Sequence, residues 1–257
     1  TDDEDTEYRY LPPQTLTSSI TSDTRLRGYR TYIVSNSVTV ASGATLTLQP
    51  GTILKFNTGC QFTVNGTLDA QGTRAAPIVF TSLKDDEHGG DTNGDGDTTY
   101  AQPGDWVSIN AYGTLKFNYT SILYGGNNGS STADVFLLNG GNVTFDNSIL
   151  AHAYQYAVGL ESGSWTMTNS TFVDFYTAFR HFASCTCLNS VFYDFTYLSN
   201  NGGQSFKNCV ISRYATALCW WTDNCTYKNC VIWNPAGFGP QSFSTEIPLF
   251  LSGSRRQ

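Results

Sequence analysis

The sequence is poor in charge, in methionine and in helix-forming segments. Charged residues make up 14 % of the 257 residues, against about 25 % in a typical soluble domain. The chain contains one methionine and eight prolines. No segment joins good helix formers to an apolar stripe of helical period, and no apolar run approaches the ~20 residues of a membrane-spanning helix. The net charge of −7 argues against nucleic acid and anionic membranes as partners.

The sequence also lacks the usual catalytic signatures. It shows no Ser-His-Asp set, no phosphate-binding loop and no dinucleotide fingerprint. Only three histidines are present, which leaves little general-base chemistry near neutral pH. These absences favour a non-enzymatic protein.

A repeat of about 20 residues dominates the second half of the chain. Five short phrases that alternate with period two each end in asparagine, followed by Ser or Cys and two mostly apolar residues; these asparagines are Asn147, Asn169, Asn189, Asn208 and Asn229. A fixed period of this length indicates one structural unit per repeat, and the alternation places a strand in each unit. The pattern therefore predicts an all-β, single-domain parallel β-helix (solenoid) of about ten rungs.

Stacked rungs bring equivalent residues to ~4.8 Å from one another along the axis. The five asparagines then form an amide ladder, in which each side chain hydrogen-bonds to its neighbours. Asparagine also tolerates the left-handed backbone that a sharp corner needs. We therefore interpret these asparagines as scaffolding rather than as catalytic residues.

The first half of the chain carries the resemblance to a known family. Residues 38–56 read VTVASGATLTLQPGTILKF, residues 64–73 read VNGTLDAQGT and residues 76–82 read APIVFTS. This stretch resembles the opening rungs of right-handed parallel β-helix repeat proteins of the pectate-lyase-like class, which are secreted or surface proteins of microbes. The resemblance implies a right-handed coil and an extracellular or cell-surface location; it implies much less about chemistry.

The organisation that we predict is a single solenoid with additions. Residues 1–14 form an acidic leader, 15–251 the β-helix and 252–257 a tail. Within the solenoid, residues 15–31 are expected to be an N-terminal cap, because the first rung would otherwise expose core and a strand edge. Residues 83–105 interrupt the rungs as an inserted acidic loop.

The acidic loop is the strongest chemical signal. Residues 91–97 read DTNGDGD and reproduce the first half of an EF-hand calcium loop, with oxygen ligands at alternating positions. The twelfth position is Gln102 instead of Glu, so the bidentate ligand would come from a neighbouring acid. The predicted ligands of a structural Ca²⁺ are Asp85, Asp86, Asp91, Asn93, Asp95, Asp97 and Asp105, with Glu87 as a further source. The alternative is a solvated acidic insertion.

A second candidate site lies five residues after the ladder asparagines. Four charged or titratable residues fall there in successive rungs, namely His152, Asp174, Asp194 and Arg213. Two adjacent carboxylates could serve a polysaccharide lyase or a glycoside hydrolase, with Asp174 and Asp194 as the catalytic pair. The alternative, which we favour, is an exposed charge ladder in which His152 pairs with Asp174 and Arg213 pairs with Asp194.

Cysteines and glycosylation acceptors bear on the location. Cys209 and Cys230 share a column in adjacent rungs, at a separation near that of a disulfide. The alternatives are a plain buried thiol and a zinc site, and the cysteine spacing does not suit zinc. The acceptor sequence Asn-X-Ser/Thr marks five candidate glycosylation sites, which are Asn65, Asn118, Asn128, Asn142 and Asn224; Asn169 also matches but belongs to the ladder.

Aromatic residues form 14 % of the chain and occur in consecutive pairs in the later rungs. Successive side chains of a strand point to opposite faces, so the two members of a consecutive pair cannot both point inward. The pairs are Phe175-Tyr176, Phe192-Tyr193 and Trp220-Trp221. One of each pair should face out, which would give a platform for sugar rings or a protein partner.

The sequence thus predicts a non-catalytic structural or adhesive protein that binds surface glycans or polymerises end to end through open strand edges. The alternatives are the polysaccharide-degrading enzyme and a carbohydrate-binding surface module.

Overall fold

The chain folds into a parallel β-solenoid of about nine turns, which confirms the predicted fold class and, roughly, the predicted rung count. A computed structural model describes residues 12–17, 19–127, 129, 134–180, 185–200, 203–219, 225–233 and 249–250. Every strand pairing in this part of the chain is parallel, so each turn hydrogen-bonds to the turns before and after it. None of the described helices has the length and apolarity needed to cross a lipid bilayer.

Three sheet faces make up the coil. Face one contains β1 (Gln14–Leu16), β3 (Thr31–Val34), β6 (Ile53–Phe56), β9 (Ile78–Ser82), β12 (Thr120–Leu123), β14 (Ile149–Ala151), the first half of β16 (Thr171–Arg180), β18 (Val191–Ser199) and β20 (Val210–Cys219), and then β22 (Val231–Trp233) and β23 (Leu249–Phe250). Face two contains β4 (Val38–Val40), β7 (Phe62–Val64), β10 (Ile109–Ala111), the first halves of β13 (Asp134–Asp146) and β15 (Tyr156–Thr168), and the second halves of β16, β18 and β20.

Face three contains nine strands, which are β2 (Thr24–Leu26), β5 (Thr45–Leu48), β8 (Thr67–Gln71), β11 (Thr114–Asn118), the second halves of β13 and β15, β17 (Cys185–Leu188), β19 (Gln204–Lys207) and β21 (Thr226–Lys228). A short 3₁₀ helix, Gly96–Thr98, lies in the inserted loop. β2 and most of β1 lie in the segment predicted as a cap, and both strands pair with the next turn.

The interior is a continuous apolar column with aromatic stacks. On face one, the inward position in successive turns is held by residues that are at most 3 % exposed, namely Leu54, Phe80, Ile122, Leu150, Phe172, Phe192, Ile211 and Ile232. Ring contacts such as Phe172–Phe192, with centroids 5.5 Å apart, link adjacent turns. Burial of this apolar surface, at roughly 25 cal/mol per Å², is the main driving force for stacking the turns.

The asparagine ladder forms the corner between faces three and one. All five repeat asparagines have positive φ, between 47° and 54°. From Asn189 onwards each amide nitrogen donates to the asparagine of the previous turn, at 3.1–3.4 Å. Asn147 and Asn169 donate instead to Asn118 and Asp146. The predicted scaffolding role is therefore confirmed, although the ladder is not an unbroken asparagine file.

Replacing Asn189 with alanine should destabilise the coil by about 1–2 kcal/mol. The substitution removes the amide contacts with Asn169 and Asn208. It also puts alanine at φ 49°, a left-handed conformation that asparagine tolerates better than alanine does. Asn189→Gly keeps the backbone conformation accessible and loses only the amide contacts, so it should cost less. Urea unfolding of both variants checks this; equal losses would show that the left-handed corner carries no cost.

A second left-handed corner joins faces one and two. Tyr124 and the four residues of the predicted charge file occupy it, and all five have φ between 54° and 63°. The third corner, between faces two and three, is made of glycines that stack on the carbonyl groups of the previous turn, namely Gly66, Gly113, Gly141 and Gly163. Of the three corners, the repeat pattern predicts the asparagine corner alone.

Candidate functional site

The inserted acidic loop packs against the outer side of face one and is anchored by buried polar groups. Lys55, in β6, is fully buried, and its ammonium donates a 2.5 Å hydrogen bond to the carbonyl oxygen of Gly90. Burial lowers the pKa of Lys55, while the nearby carboxylates of Asp85, Asp86 and Asp91 oppose that shift. This lysine, which sequence reasoning missed, is a positive charge built in beneath the loop.

Two of the predicted metal ligands are engaged by protein groups. Asp85 accepts hydrogen bonds from the Thr81 hydroxyl at 2.5 Å and from the backbone of Glu87, and its carboxylate contacts His88 Nδ1 at 2.8 Å. This contact raises the pKa of His88. Asp105 accepts from Ser82, Lys84 and the backbone of Gln102. The two buried carboxylates therefore hold the ends of the loop against the coil.

Three other predicted ligands come together. One carboxylate oxygen from each of Asp86, Asp91 and Asp95 lies within 4.8 Å of the others. Backbone N–H groups of Gly94, Asp95 and Gly96 donate to the Asp91 carboxylate, and these contacts, led by that of Gly96, lower its pKa. By contrast, desolvation and the negative charge of Asp91 raise the pKa of Asp86.

The same region holds oxygen atoms that are buried without a hydrogen-bond partner. They are Oδ1 of Asp86, Asn93 and Asp95 and the hydroxyl of Thr92. Asn93 uses its amide nitrogen to donate to Thr99, which leaves the amide oxygen unsatisfied. Asp97 is exposed and lines a cavity of about 380 Å³ that shares Asp86 with the cluster. Buried oxygens in folded proteins usually accept a hydrogen bond or contact a water molecule or an ion.

The charge file forms two separate side-chain contacts at a partly exposed corner. His152 Nδ1 lies 2.7 Å from Asp174, and Arg213 Nε lies 2.8 Å from Asp194. These are the pairings expected of a charge ladder. The His152 ring also stacks on Tyr124, with centroids 4.9 Å apart. Each carboxylate of the candidate catalytic pair thus has its own basic partner.

The predicted Cys209–Cys230 disulfide is absent, and both residues are free thiols. They continue the column of Ser148, Ser170 and Ser190, whose hydroxyls donate to the carbonyl two residues earlier. Each thiol makes the same contact at 3.4 Å, to Lys207 and Lys228 respectively. The cysteines therefore replace serine as buried donors at this corner, which explains their shared position without a covalent bond.

The aromatic pairs and the glycosylation acceptors are partly visible. Phe175 is 5 % exposed and Tyr176 is 39 % exposed, and Phe192 is buried while Tyr193 is half-buried, so one member of each of these pairs faces out as predicted. Trp220-Trp221 lies outside the described residues. The acceptors Asn65 and Asn142 are exposed and Asn118 is half-buried. Asn128 and Asn224 also lie outside the described residues.

A buried ion pair on face two has no signature in the sequence. Arg180 donates to both carboxylate oxygens of Asp134, with Nε 3.0 Å from Oδ1. Asp134 lies over Gly159, where a β-carbon would collide with its carboxylate at 2.5 Å. Burial raises the pKa of Asp134 to about 6 despite the opposing effect of Arg180. The two residues are 46 positions apart, so only the register of the turns could have paired them.

Comparison with known proteins identifies the family of the chain. A family model described as a pectate-lyase-like β-helix domain matches residues 18–150, which is just over half of the sequence. No curated protein matches. The match extends from the first turns into the first phrase of the asparagine repeat, which contains Asn147, and the parallel β-solenoid agrees with it. The chain belongs to the pectate-lyase-like β-helix family.

Proposed function

We propose that the protein is a non-catalytic, extracellular structural or adhesive β-solenoid whose inserted loop is held in place by calcium. The observation that carries the calcium proposal is the group of partnerless buried oxygens around Asp86, Asp91 and Asp95. Carboxylate, amide and hydroxyl oxygens are the ligands that Ca²⁺ prefers, six to eight at a time. Lys55 offsets part of the negative charge from below, but it hydrogen-bonds to Gly90 and leaves those oxygens without donors.

Calcium should raise the melting temperature of the protein. A ligand at a hundredfold its Kd stabilises by about 2.7 kcal/mol, which for a chain of this size corresponds to roughly 5–10 °C. Thermal melts in calcium and in EDTA measure the shift. Asp95→Asn should reduce it strongly, whereas Asp194→Asn removes an equal charge far along the chain and should leave it intact. Identical melts in calcium and EDTA would contradict the proposal.

The non-catalytic part of the proposal is supported by the charge file. The carboxylates of Asp174 and Asp194 are paired with His152 and Arg213 at an exposed corner. Each carboxylate contacts its own basic side chain, whereas a catalytic carboxylate pair needs environments that separate the roles of acid and nucleophile. If Asp194→Asn abolished turnover of a polysaccharide by this protein, the polysaccharide-lyase or glycoside-hydrolase alternative would replace the proposal.

End-to-end assembly is the quaternary structure that the open coil favours. In the described part of the chain, β1 and β2 each pair with one later strand only, and Gln14 and Thr15 are exposed. A free edge of a parallel sheet can add strands from another copy. Negative-stain electron microscopy of concentrated protein should show filaments one coil wide, and a strictly monomeric protein at high concentration would refute assembly.

Extracellular location is supported by the exposed acceptors Asn65 and Asn142.

A further inference from the structure

The interior of the coil is rich in sulfur where β17 lies. Cys185 and Cys187, both on β17, are 2 % and 0 % exposed, and their Sγ atoms lie 3.5 Å apart. The only methionine of the sequence, Met167, is fully buried and holds the position directly before Cys187 in the stack of turns. Equivalent residues of neighbouring turns are ~4.8 Å apart, so two thiols and one thioether share one region of the core.

Two buried N–H groups flank Cys185. Trp165 precedes it and Gln204 follows it in the stack, and each of these side chains is 1 % exposed. Trp165 Nε1 and Gln204 Nε2 have no hydrogen-bond partner among the residues that the structure describes. The Gln204 oxygen is already engaged, because it accepts from Ser199 at 2.7 Å and from the Cys225 thiol at 3.2 Å. Buried donors usually have an acceptor, and a negatively charged sulfur at Cys185 would be an acceptor next to both.

A packing role for the thiols does not explain these two donors. A buried cysteine often serves as a small apolar residue, and apolar neighbours would then suffice around Cys185. A bare thiolate in the core would carry a large desolvation cost. A bound cation removes that cost, because the metal replaces the thiol proton. Hydrogen bonds from N–H groups to the sulfur then tune the site, as they do in iron–sulfur proteins.

The ligand set selects a soft monovalent ion. Thiolate and thioether sulfur suit Cu(I), whereas structural zinc sites take four ligands from cysteine, histidine or carboxylate side chains. Across the described ranges, such side chains come together in threes only at Asp86, Asp91 and Asp95, so the β17 region has too few of them for zinc.

We infer that Met167, Cys185 and Cys187 form a buried site for a soft monovalent metal ion, of which Cu(I) is the biological example. The ion takes the place of the proton on the Cys185 thiol, and that proton leaves to solvent. One cation and one thiolate keep the interior neutral, while the Met167 thioether and the Cys187 thiol each donate a lone pair. This site goes beyond the proposed structural function and does not depend on it.

Competition with a chromophoric chelator tests the site. The full chain is unfolded in urea and refolded without oxygen in the presence of one equivalent of Cu(I), because the site is buried in the folded protein. Bicinchoninate is then added, and the absorbance of its Cu(I) complex reports the copper that the protein has released. The parent should retain one equivalent of Cu(I). Met167→Leu, which keeps a similar side-chain volume, should weaken binding about tenfold, and Cys185→Ala about a hundredfold.

Two cysteine variants are the matched controls. Cys60→Ser replaces a buried cysteine in the first half of the chain. Cys209→Ser restores the residue that earlier turns have at that corner, where Ser190 donates to the carbonyl two residues before it. Both variants should keep the affinity of the parent. X-ray absorption at the copper edge should show sulfur ligands only.

Three results would overturn the inference. The first is no retained Cu(I) in a parent that has refolded to its original melting temperature. The second is unchanged affinity in Met167→Leu and Cys185→Ala. The third is an equal loss in Cys60→Ser, which would assign the copper to unspecific binding by thiols. The calcium melts are independent of this test, because the acidic loop and the sulfur site share no residue, so either proposal can fail alone.

Discussion

Gly113→Ala is expected to destabilise the solenoid by about 3 kcal/mol, or to prevent folding of the middle turns. A β-carbon at Gly113 would lie 2.0 Å from the carbonyl oxygen of Gly66 and 2.7 Å from that of Asn65. Both contacts are with backbone of the previous turn, which is fixed by parallel pairing on either side. The turns would have to separate locally, and overpacking of this kind costs about 1–3 kcal/mol or more.

The matched control is Gly43→Ala. Gly43 has φ 81°, a left-handed conformation that Gly113 does not share, but a β-carbon there meets nothing within 4 Å, so the variant carries only backbone strain of about 1–2 kcal/mol. Urea unfolding of the two variants and the parent separates the two costs. A Gly113→Ala protein as stable as Gly43→Ala would mean that the turns can slide apart at this corner without loss of packing elsewhere.

The fold was predictable because the signal repeats. Each phrase that ends at Asn147, Asn169 or a later ladder asparagine carries the same strand and corner, so errors in one repeat are corrected by the others. The glycine corner gave a weaker signal, since the spacing from Gly66 to Gly113 includes the loop 83–105 and hides the period. The ladder departs from expectation at Asn169. Its amide donates to Asp146, the residue directly before Asn147 in the preceding turn, instead of to Asn147 itself.

The sequence predicted which residues belong to the candidate sites, but it did not predict which side chains contact each other there. Residues 91–97 predict a cation site in the acidic loop, which stays a prediction, and the sequence could not show that Asp85 and Asp105 hold the ends of the loop. Likewise it could not show Lys55 beneath the loop, since a single lysine in a strand gives no sign of what covers it. Contacts between distant segments depend on side-chain directions that periodicity does not encode.

Arg180→Ala should destabilise the protein by about 3–5 kcal/mol at pH 8, because it leaves the carboxylate of Asp134 buried without a partner. Asp134 is 4 % exposed, and both of its oxygens accept from Arg180. The loss should be smaller at pH 5. In the folded parent the pKa of Asp134 is about 6, above about 3.9 for an unfolded aspartate, so this group makes folding less favourable as the pH rises between those values. Without the guanidinium the folded pKa rises further, and the penalty continues to grow above pH 6.

Chemical unfolding at pH 5 and pH 8 measures both the loss and its pH dependence. Arg213→Ala is the matched control: it removes the same guanidinium from an exposed pair with Asp194 and should cost less than about 1 kcal/mol at either pH. The double variant Arg180→Ala with Asp134→Ala should recover part of the stability at pH 8, because no charge is then left buried. A loss for Arg180→Ala that is equal at both pH values, and unchanged in the double variant, would assign the effect to lost packing over Tyr156 and not to the ion pair.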